Sequence, residues 1–372
     1  MGHCVVVRRR NLVAIVVVAV VGAGCTAPGQ APSSAAPGAA GAAGSRAVAG
    51  PAGSSAVAGP APVPAASVST TVAAAGRLSL LVEPDAGIGA VDDLISAAGR
   101  TIDLTMYELV DPTIESLLDV AAARGVRVRV ILDGHLERDA NQPAYDELRA
   151  HGVEVVWSSP AYESTHEKAM VIDDTVAVIM TLNLTSRYYD DTRDFAVIDR
   201  DAGDVAAVET VFAADLTGAP VVTPAGDDLV WSPDQSTAAL TGLIGSAHST
   251  LMVENEEMSS TSIIDALDAA AARGVHVTVV MTDSSEWSSA FGRLTAAGVQ
   301  VRTYPPSAAL YIHAKAIVAD GRRAFVGSQN FSSASLTRNR ELGMLTSDPA
   351  VVGPLAAALA ADAAGAAPWS GT

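Results

Sequence analysis

The sequence has little cysteine and few basic residues, and each shortage limits the functions that the chain can have. Its two cysteines, Cys4 and Cys25, lie near the N terminus, so the rest of the chain has no internal disulfide, thiol nucleophile or thiolate metal ligand. Lys and Arg number 23 against 41 Asp and Glu, and the formal net charge is −18. Because duplex DNA is bound mainly through Lys and Arg on its phosphates, this balance disfavours a long polyanion as the main partner.

A long hydrophobic run is also missing at the N terminus. Three arginines, Arg8 to Arg10, precede an apolar run of about a dozen residues that ends at Ala23. Such a run is too short to span a membrane comfortably and is typical of a secretory signal. Small residues then lead to Cys25, as at a bacterial lipoprotein processing site, although Gly22 departs from that pattern and ordinary cleavage nearby is the alternative. We therefore expect an exported protein of the cell envelope, lipid-anchored through Cys25 or secreted.

The next stretch has almost no charge and no aromatic residue. Residues 26–76 consist mainly of Ala, Gly, Pro, Ser and Val, and this composition predicts a disordered linker. We divide the chain into a signal peptide (1–25), this linker (26–76), a first half (77–218) and a second half (219–372).

The two halves repeat one another. A helix-terminating Ala-Ala-Ala-Arg-Gly ends at Gly125 and again at Gly274, and β-branched alternation follows each copy. Strands alternate with helices of ten or more residues in both halves, which predicts the α/β class. We expect two tandem α/β/α sandwich halves, related by a pseudo-twofold axis and sharing one active site.

The pattern His-x-Lys-x4-Asp occurs once in each half. His and Lys stand two residues apart, so in a strand their side chains point to one face and place a titratable base beside a cation. The aspartate ends the strand, and we expect it to support the turn from outside the reacting groups. The residues are His166, Lys168 and Asp173 in the first half and His313, Lys315 and Asp320 in the second.

A second polar pair follows each motif. Asn183 and Asn330 each lie 17 residues after the histidine, and Asp194 and Glu341 follow 11 residues later. A carboxylate that accepts a hydrogen bond from histidine Nδ1–H would hold the ring with Nε2 facing phosphorus. Asp194 and Glu341 are therefore candidates for orienting the histidines.

Together these residues resemble the phospholipase D superfamily, the phosphodiesterases with two HKD motifs, and its bacterial phospholipase D-like and cardiolipin synthase-like members. The Gly327-Ser328 corner is part of the resemblance, whereas the first copy has Met180-Thr181 there and an aspartate, Asp194, in place of glutamate. The resemblance implies a phosphohistidine intermediate, with His166 as nucleophile and His313 as acid. It also implies that no metal or other cofactor is needed. Groups implied to hold the phosphate oxygens are Lys168, Lys315, Asn183, Asn330, Ser328 and Thr181.

From these residues we predict a monomeric phospholipase D that hydrolyses glycerophospholipids at a membrane surface and releases the headgroup alcohol. A nuclease of the same superfamily, a phosphatidyl transferase of the cardiolipin synthase type and a lipid-binding module with a decayed site are the alternatives. The sequence does not identify the headgroup, because headgroup specificity is set by loops around the cleft, which we expect at residues 107–111, 134–142 and 284–289.

Two further groups near the motifs have open assignments. The arginines that flank the motifs could bind a second phosphate or headgroup, or belong to a solvated surface; they are Arg187, Arg193, Arg338 and Arg340. The acidic run Glu254–Glu257 suggests a metal site, a solvated strand end or part of the pocket rim, and no histidine stands near it at ligand spacing.

Overall fold

The computed structural model describes residues 76–224, 226 and 228–371. The predicted signal peptide and the predicted linker up to residue 75 lie outside the described residues, as does Cys25, so those assignments stay predictions. Among the described residues, no helix is both long enough and apolar enough to span a membrane.

The first half contains nine strands and four α-helices, with a short 3-10 helix at Ser186–Tyr188. In chain order they are β1 (Leu78–Glu83), α1 (Gly89–Ala97), β2 (Thr101–Met106), β3 (Leu109–Val110), α2 (Pro112–Ala123), β4 (Arg127–Leu132), α3 (Arg138–Ala150), β5 (Glu154–Trp157), β6 (Lys168–Ile172), β7 (Val176–Met180), β8 (Leu184–Thr185), β9 (Thr192–Asp199) and α4 (Ala202–Thr217).

The second half repeats this order with small departures. Its elements are β10 (Leu229–Ser232), α5 (Ser236–Gly245), β11 (Thr250–Glu254), α6 (Thr261–Ala272), β12 (His276–Thr282), α7 (Ser288–Ala296), β13 (Gln300–Tyr304), β14 (Tyr311–Ile312), β15 (Ala316–Ala319), β16 (Arg323–Gly327), α8 (Ser333–Thr337), β17 (Glu341–Thr346), α9 (Pro349–Gly365) and β18 (Ala367–Pro368).

Each half builds one mixed sheet with the same strand order. The first sheet runs β1-β9-β7-β6-β2-β4-β5, and the second runs β10-β17-β16-β15-β11-β12-β13, with β18 added at its end. In each sheet three neighbouring strands are parallel, β2, β4 and β5 in one and β11, β12 and β13 in the other, because helices carry the chain back between them. This confirms the prediction of two repeated α/β halves.

Both faces of each sheet are buried. In β6, Ala169 and Val171 point into a core that also contains side chains from the second sheet and from helices α4 and α9. Met170 and Ile172 point the other way, into the core beneath helices α1, α2 and α3. This period of two explains why the motif strands consist almost entirely of apolar residues. The two sheets are thus held together by one shared core.

The aspartates of the two motifs support turns, as their position predicts. Asp173 accepts hydrogen bonds from the backbone N–H groups of Gly99, Arg100 and Thr101 at 2.9, 2.6 and 2.9 Å. Asp320 does the same in the second half, and both aspartates have a φ of 53°. The left-handed conformation, which Asp tolerates better than most residues, turns each carboxylate back onto the segment that enters β2 or β11.

We expect Asp320→Asn to lower the free energy of unfolding by about 1 kcal/mol, since a neutral amide accepts three backbone hydrogen bonds less well than a carboxylate. Hydrogen bonds from Thr250 and its neighbours hold the pKa of Asp320 below its usual value. The stabilisation is therefore present above the ordinary pKa of Asp and is lost as the pH falls through the lower folded value. Urea denaturation at pH 7 and pH 3 measures this difference, with Asp93→Asn as the exposed control. An equal difference at both pH values would contradict the assignment.

Candidate active site

The segment before each histidine crosses to the other half. β14 lies parallel to β9, with Ile312 opposite Arg193, and Thr165 forms the matching bridge to Arg340. The backbone N–H of His166 donates to the Arg340 carbonyl at 2.9 Å, and that of His313 to the Arg193 carbonyl at 3.3 Å. This pairing corrects the expectation that His and Lys share one strand, because β6 begins only at Lys168 and β15 only after Lys315.

Each histidine is consequently oriented by a carboxylate of the opposite half. His166 Nδ1 lies 2.9 Å from Glu341 Oε2, and His313 Nδ1 lies 2.8 Å from Asp194 Oδ1. Glu341 is the first residue of β17, and Asp194 lies within β9. These are the two strands that pair with the segments before the histidines. The sequence identified both carboxylates but did not show that the pairs exchange partners between halves.

Both motif lysines are buried beside their histidines. Lys168 Nζ donates to the His166 carbonyl at 2.7 Å, and Lys315 Nζ donates to the His313 carbonyl at 2.5 Å. Burial and the charge of Lys315 lower the pKa of Lys168 to about 7. Burial likewise lowers the pKa of His166, with Glu341 opposing the shift and both lysines adding to it. Since charges from both halves act on His166 and Lys168, the two motifs form one site.

Tyr107 covers the first motif. Its ring centroid is 4.5 Å from that of His166, in an edge-on arrangement, and Lys168 Nζ lies 4.7 Å above the ring. Tyr107 follows β2 directly, at the edge of the sheet where the motif lies, and it begins one of the loops that the sequence predicts around the cleft.

The two asparagines predicted to hold the phosphate occupy equivalent positions in the two halves. Asn183 follows β7 and Asn330 follows β16, and the buried Oδ1 atoms of both lack a hydrogen-bond partner within the described part of the chain. Asn330 Nδ2 donates to Glu257 Oε1 at 3.1 Å. Buried polar atoms without partners are uncommon, and a polar ligand can satisfy them.

Thr181 and Ser328 do not have the predicted phosphate-holding role. Both are fully buried. Thr181 Oγ1 donates to Asp194 at 2.5 Å, and Ser328 hydrogen-bonds Glu341 while its Oγ accepts from Leu342 N. The corner after β7 and β16 turns these hydroxyls toward the orienting carboxylates, so they hold Asp194 and Glu341 in place and lie behind the histidines.

Two of the four flanking arginines are structural. Arg193 Nε lies 2.6 Å from Asp362 in α9, and Arg340 Nε lies 2.8 Å from Asp215 in α4. Both arginines are buried, so the headgroup and solvated-surface readings are wrong for them. Each arginine immediately precedes an orienting carboxylate and pairs with the last helix of the opposite half. Arg187 and Arg338 are exposed and bind Glu108 and Glu163.

Glu256 belongs to the acidic run for which the sequence left a place on the pocket rim open, and the sequence did not single it out within that run. Its Oε2 lies 3.2 Å from Lys315 Nζ and 3.4 Å from His313 Nε2. Burial alone raises a carboxyl pKa, but the positive charges of His313 and Lys315 hold that of Glu256 at about 2. The sequence signal was available, since Glu256 stands at the repeat position of Tyr107, 149 residues later.

No metal site includes the acidic run Glu254–Glu257 among the residues that the structure describes. Within residues 76–224, 226 and 228–371, three possible ligands come within 4.8 Å of one another only at Asp119, Glu147 and His151, in and next to helices α2 and α3. Glu254 is instead the last residue of β11 and is fully buried, and this burial raises its pKa well above the usual value.

A family model described as "Cardiolipin synthase, PLD-like domain" matches residues 91–216 and again residues 240–363, together more than half of the chain. Cardiolipin synthase A of Serratia proteamaculans is 26% identical over 325 residues, which cover 73% of this chain and 66% of that protein. The chain thus spans just under two thirds of the length of the curated relatives that it matches.

Two solved structures share the fold. Phosphatidylserine synthase from Haemophilus influenzae Rd KW20 superposes with a TM-score of 0.59 at 11% identity, covering 77% of this chain and 86% of that one. Polyphosphate kinase from Porphyromonas gingivalis has a TM-score of 0.62 at 18% identity, covering 76% of this chain and 46% of that one.

We predict that Glu341→Gln lowers the pKa of His166 further, because it removes the carboxylate charge that opposes the effect of burial. The titration of the His166 ring, followed by NMR on protein labelled at histidine, measures the shift. Asp194→Asn is the matched control, since it removes the carboxylate bound to the other histidine and should move His166 much less. Equal shifts in the two variants would contradict the exchanged pairing.

Proposed function

Because the chain belongs to the phospholipase D-like family described by the cardiolipin synthase model, we propose that it transfers a phosphatidyl group from a phospholipid to an acceptor alcohol. The observation that carries the proposal is the exchanged pair of bonds, His166 to Glu341 and His313 to Asp194. Two histidines that are each fixed at Nδ1, in one site, suit a reaction in which one attacks phosphorus and the other handles protons.

The proposed reaction has two steps at one phosphorus atom. His166 Nε2 forms a bond to phosphorus as the bond to the leaving alkoxide breaks, and His313 Nε2 gives that alkoxide a proton. The acceptor alcohol then gives its proton to His313, and its oxygen displaces His166 from phosphorus. Lys168 and Lys315 stabilise the negative charge that develops on the phosphate oxygens.

The surroundings of His166 support its assignment as the nucleophile. It is buried next to the Tyr107 ring, and burial lowers its pKa. A neutral imidazole has the free lone pair that attack on phosphorus requires. His313 Nε2 instead lies 3.4 Å from the Glu256 carboxylate, so the two histidines differ in the charge next to them, and we assign the acid role to His313.

Transfer is the better-supported outcome over the hydrolysis predicted from the sequence. The matching family model is described as a cardiolipin synthase domain, and the relative in Serratia proteamaculans is named Cardiolipin synthase A. Both outcomes use the same phosphohistidine and differ only in whether an alcohol or water attacks it. The competition between these two acceptors is therefore the quantity to measure.

The proposal is tested with purified protein and phosphatidylglycerol vesicles in the presence of a chelator. Transfer between two phosphatidylglycerol molecules forms cardiolipin and glycerol in equal amounts, and we expect this product to exceed phosphatidic acid. His313→Ala should abolish both products. A predominance of phosphatidic acid would restore the hydrolytic interpretation, and cleavage of single-stranded DNA with no lipid product would favour a nuclease.

We expect kcat/KM to fall as the pH rises through about 7, because Lys168 then loses the charge that stabilises the transition state. Lys168→Arg keeps a positive charge at every accessible pH, so its residual activity should lack this alkaline decline although its geometry is altered. The measurement is the pH profile of kcat/KM for both proteins between pH 5 and 9. The same decline in Lys168→Arg would rule out Lys168 as its source.

A further inference from the structure

Glu256 places a negative charge on the side of the site where a substrate phosphate must bind. Its carboxylate is 11% exposed and is held by side chains of the second half. Oε2 lies 3.2 Å from Lys315 Nζ and 3.4 Å from Asn330 Nδ2, and Oε1 accepts from the Tyr311 hydroxyl at 3.3 Å. Two of these partners, Lys315 and Asn330, are groups that we assign to phosphate binding, so the carboxylate and a phosphate use the same donors.

The first half has no carboxylate at the equivalent place. Thr105 pairs with Ala169 across β2 and β6, and the corresponding pairing of Glu254 with Ala316 aligns Glu256 with Tyr107. Tyr107 presents an uncharged ring to His166 and Lys168. The two motifs are therefore alike in their histidines and lysines, but at this position one has an uncharged ring and the other a carboxylate, which indicates a role that the shared fold does not require.

We propose that Glu256 is a specificity-determining residue that makes the site accept a phosphate carrying one negative charge and reject a phosphate carrying two. This inference rests on the proposed function, since it concerns the phosphate subsite of that reaction. It adds a charge criterion to the substrate: the site takes phosphodiesters and discriminates against phosphomonoesters.

The physical argument concerns the charge balance around phosphorus. A phosphodiester carries one negative charge at neutral pH, whereas a phosphomonoester carries about −1.5 to −2. Repulsion from Glu256 grows in proportion to the charge of the ligand and is strong at short range in a partly buried site. A site with two lysines and no opposing carboxylate would instead bind the dianion more tightly, and monoesters would then occupy it as inhibitors.

Other charged and titratable groups also face Glu256, and the test must separate their titration from that of the ligand. They are His313, Lys315 and Tyr311 from the segment β14 to β15, His166, Lys168 and Tyr107 from the first half, and Glu257 from its own segment. A pair of ligands that differ in charge but meet the same protein groups makes this separation.

Methyl phosphate and dimethyl phosphate are the probes, and isothermal titration calorimetry measures their dissociation constants for the wild type, Glu256→Gln and Glu256→Tyr. The tyrosine variant copies the residue that the chain itself has at the equivalent position. Dimethyl phosphate stays singly charged, while methyl phosphate changes from mainly one to two charges with a pKa of about 6. Comparing pH 5 with pH 8 therefore changes the ligand charge for one probe only.

We expect the wild type to prefer dimethyl phosphate at pH 8, and both variants to shift the ratio of the two dissociation constants toward methyl phosphate by about tenfold or more. At pH 5 the shift should be much smaller. Glu286→Gln is the matched control, because it removes one glutamate charge from an exposed turn of the same half, and its ratio should stay near that of the wild type.

An unchanged ratio at pH 8 in a folded variant overturns the proposal, as does tighter binding of methyl phosphate than of dimethyl phosphate by the wild type at that pH. The second outcome needs no variant, so a substitution that fails to fold leaves the proposal testable. Because binding is measured without turnover, failure of this test and failure of the transfer assay are distinguishable. Transfer without the charge preference removes only the role of Glu256.

Discussion

The hydrogen bonds that cross between the halves, from His166 to Glu341 and from His313 to Asp194, are the constraint on which the site depends. A histidine on one half can be oriented only if the other half is correctly placed to within a few tenths of an ångström. The shared core between the two sheets and the buried pairs of Arg193 with Asp362 and Arg340 with Asp215 meet that requirement. The fold and the site therefore have the same symmetry, and neither half contains a complete site.

Burying so many charged groups is unfavourable unless each is paired. The arginines next to the orienting carboxylates form ion pairs with aspartates of helices in the opposite half. The orienting carboxylates accept hydrogen bonds from hydroxyl groups such as those of Thr181 and Ser335. The lysines are less completely compensated. Lys168 stacks on Tyr107 and has a pKa of about 7, whereas Lys315 faces Glu256. Lys315 therefore has a carboxylate at ion-pair distance, whereas Lys168 has an aromatic ring in the equivalent place.

The pseudo-twofold relation makes this difference informative. The two sheets have the same strand order, and the two aspartate turns have the same φ and the same three backbone donors. At one of these equivalent positions the first half has Tyr107 and the second half has Glu256. The charge next to the two histidines therefore differs, although the histidines hold equivalent places in the fold. A symmetric pair of histidines can take different roles in a reaction through such a local difference in electrostatics.

The sequence by itself determined the repeat, the α/β class, the residues of the two motifs and the carboxylates that follow them, because periodicity and equal spacing are properties of the chain. The support role of Asp173 and Asp320 also followed from their position at the strand end. Only the tertiary structure decided that the histidines and carboxylates exchange partners, that Arg193 and Arg340 are structural, that Thr181 and Ser328 lie behind the carboxylates, and that Glu256 enters the site. These four facts depend on contacts between residues that are distant along the chain or on the direction of a side chain at a turn, and spacing within one half specifies neither.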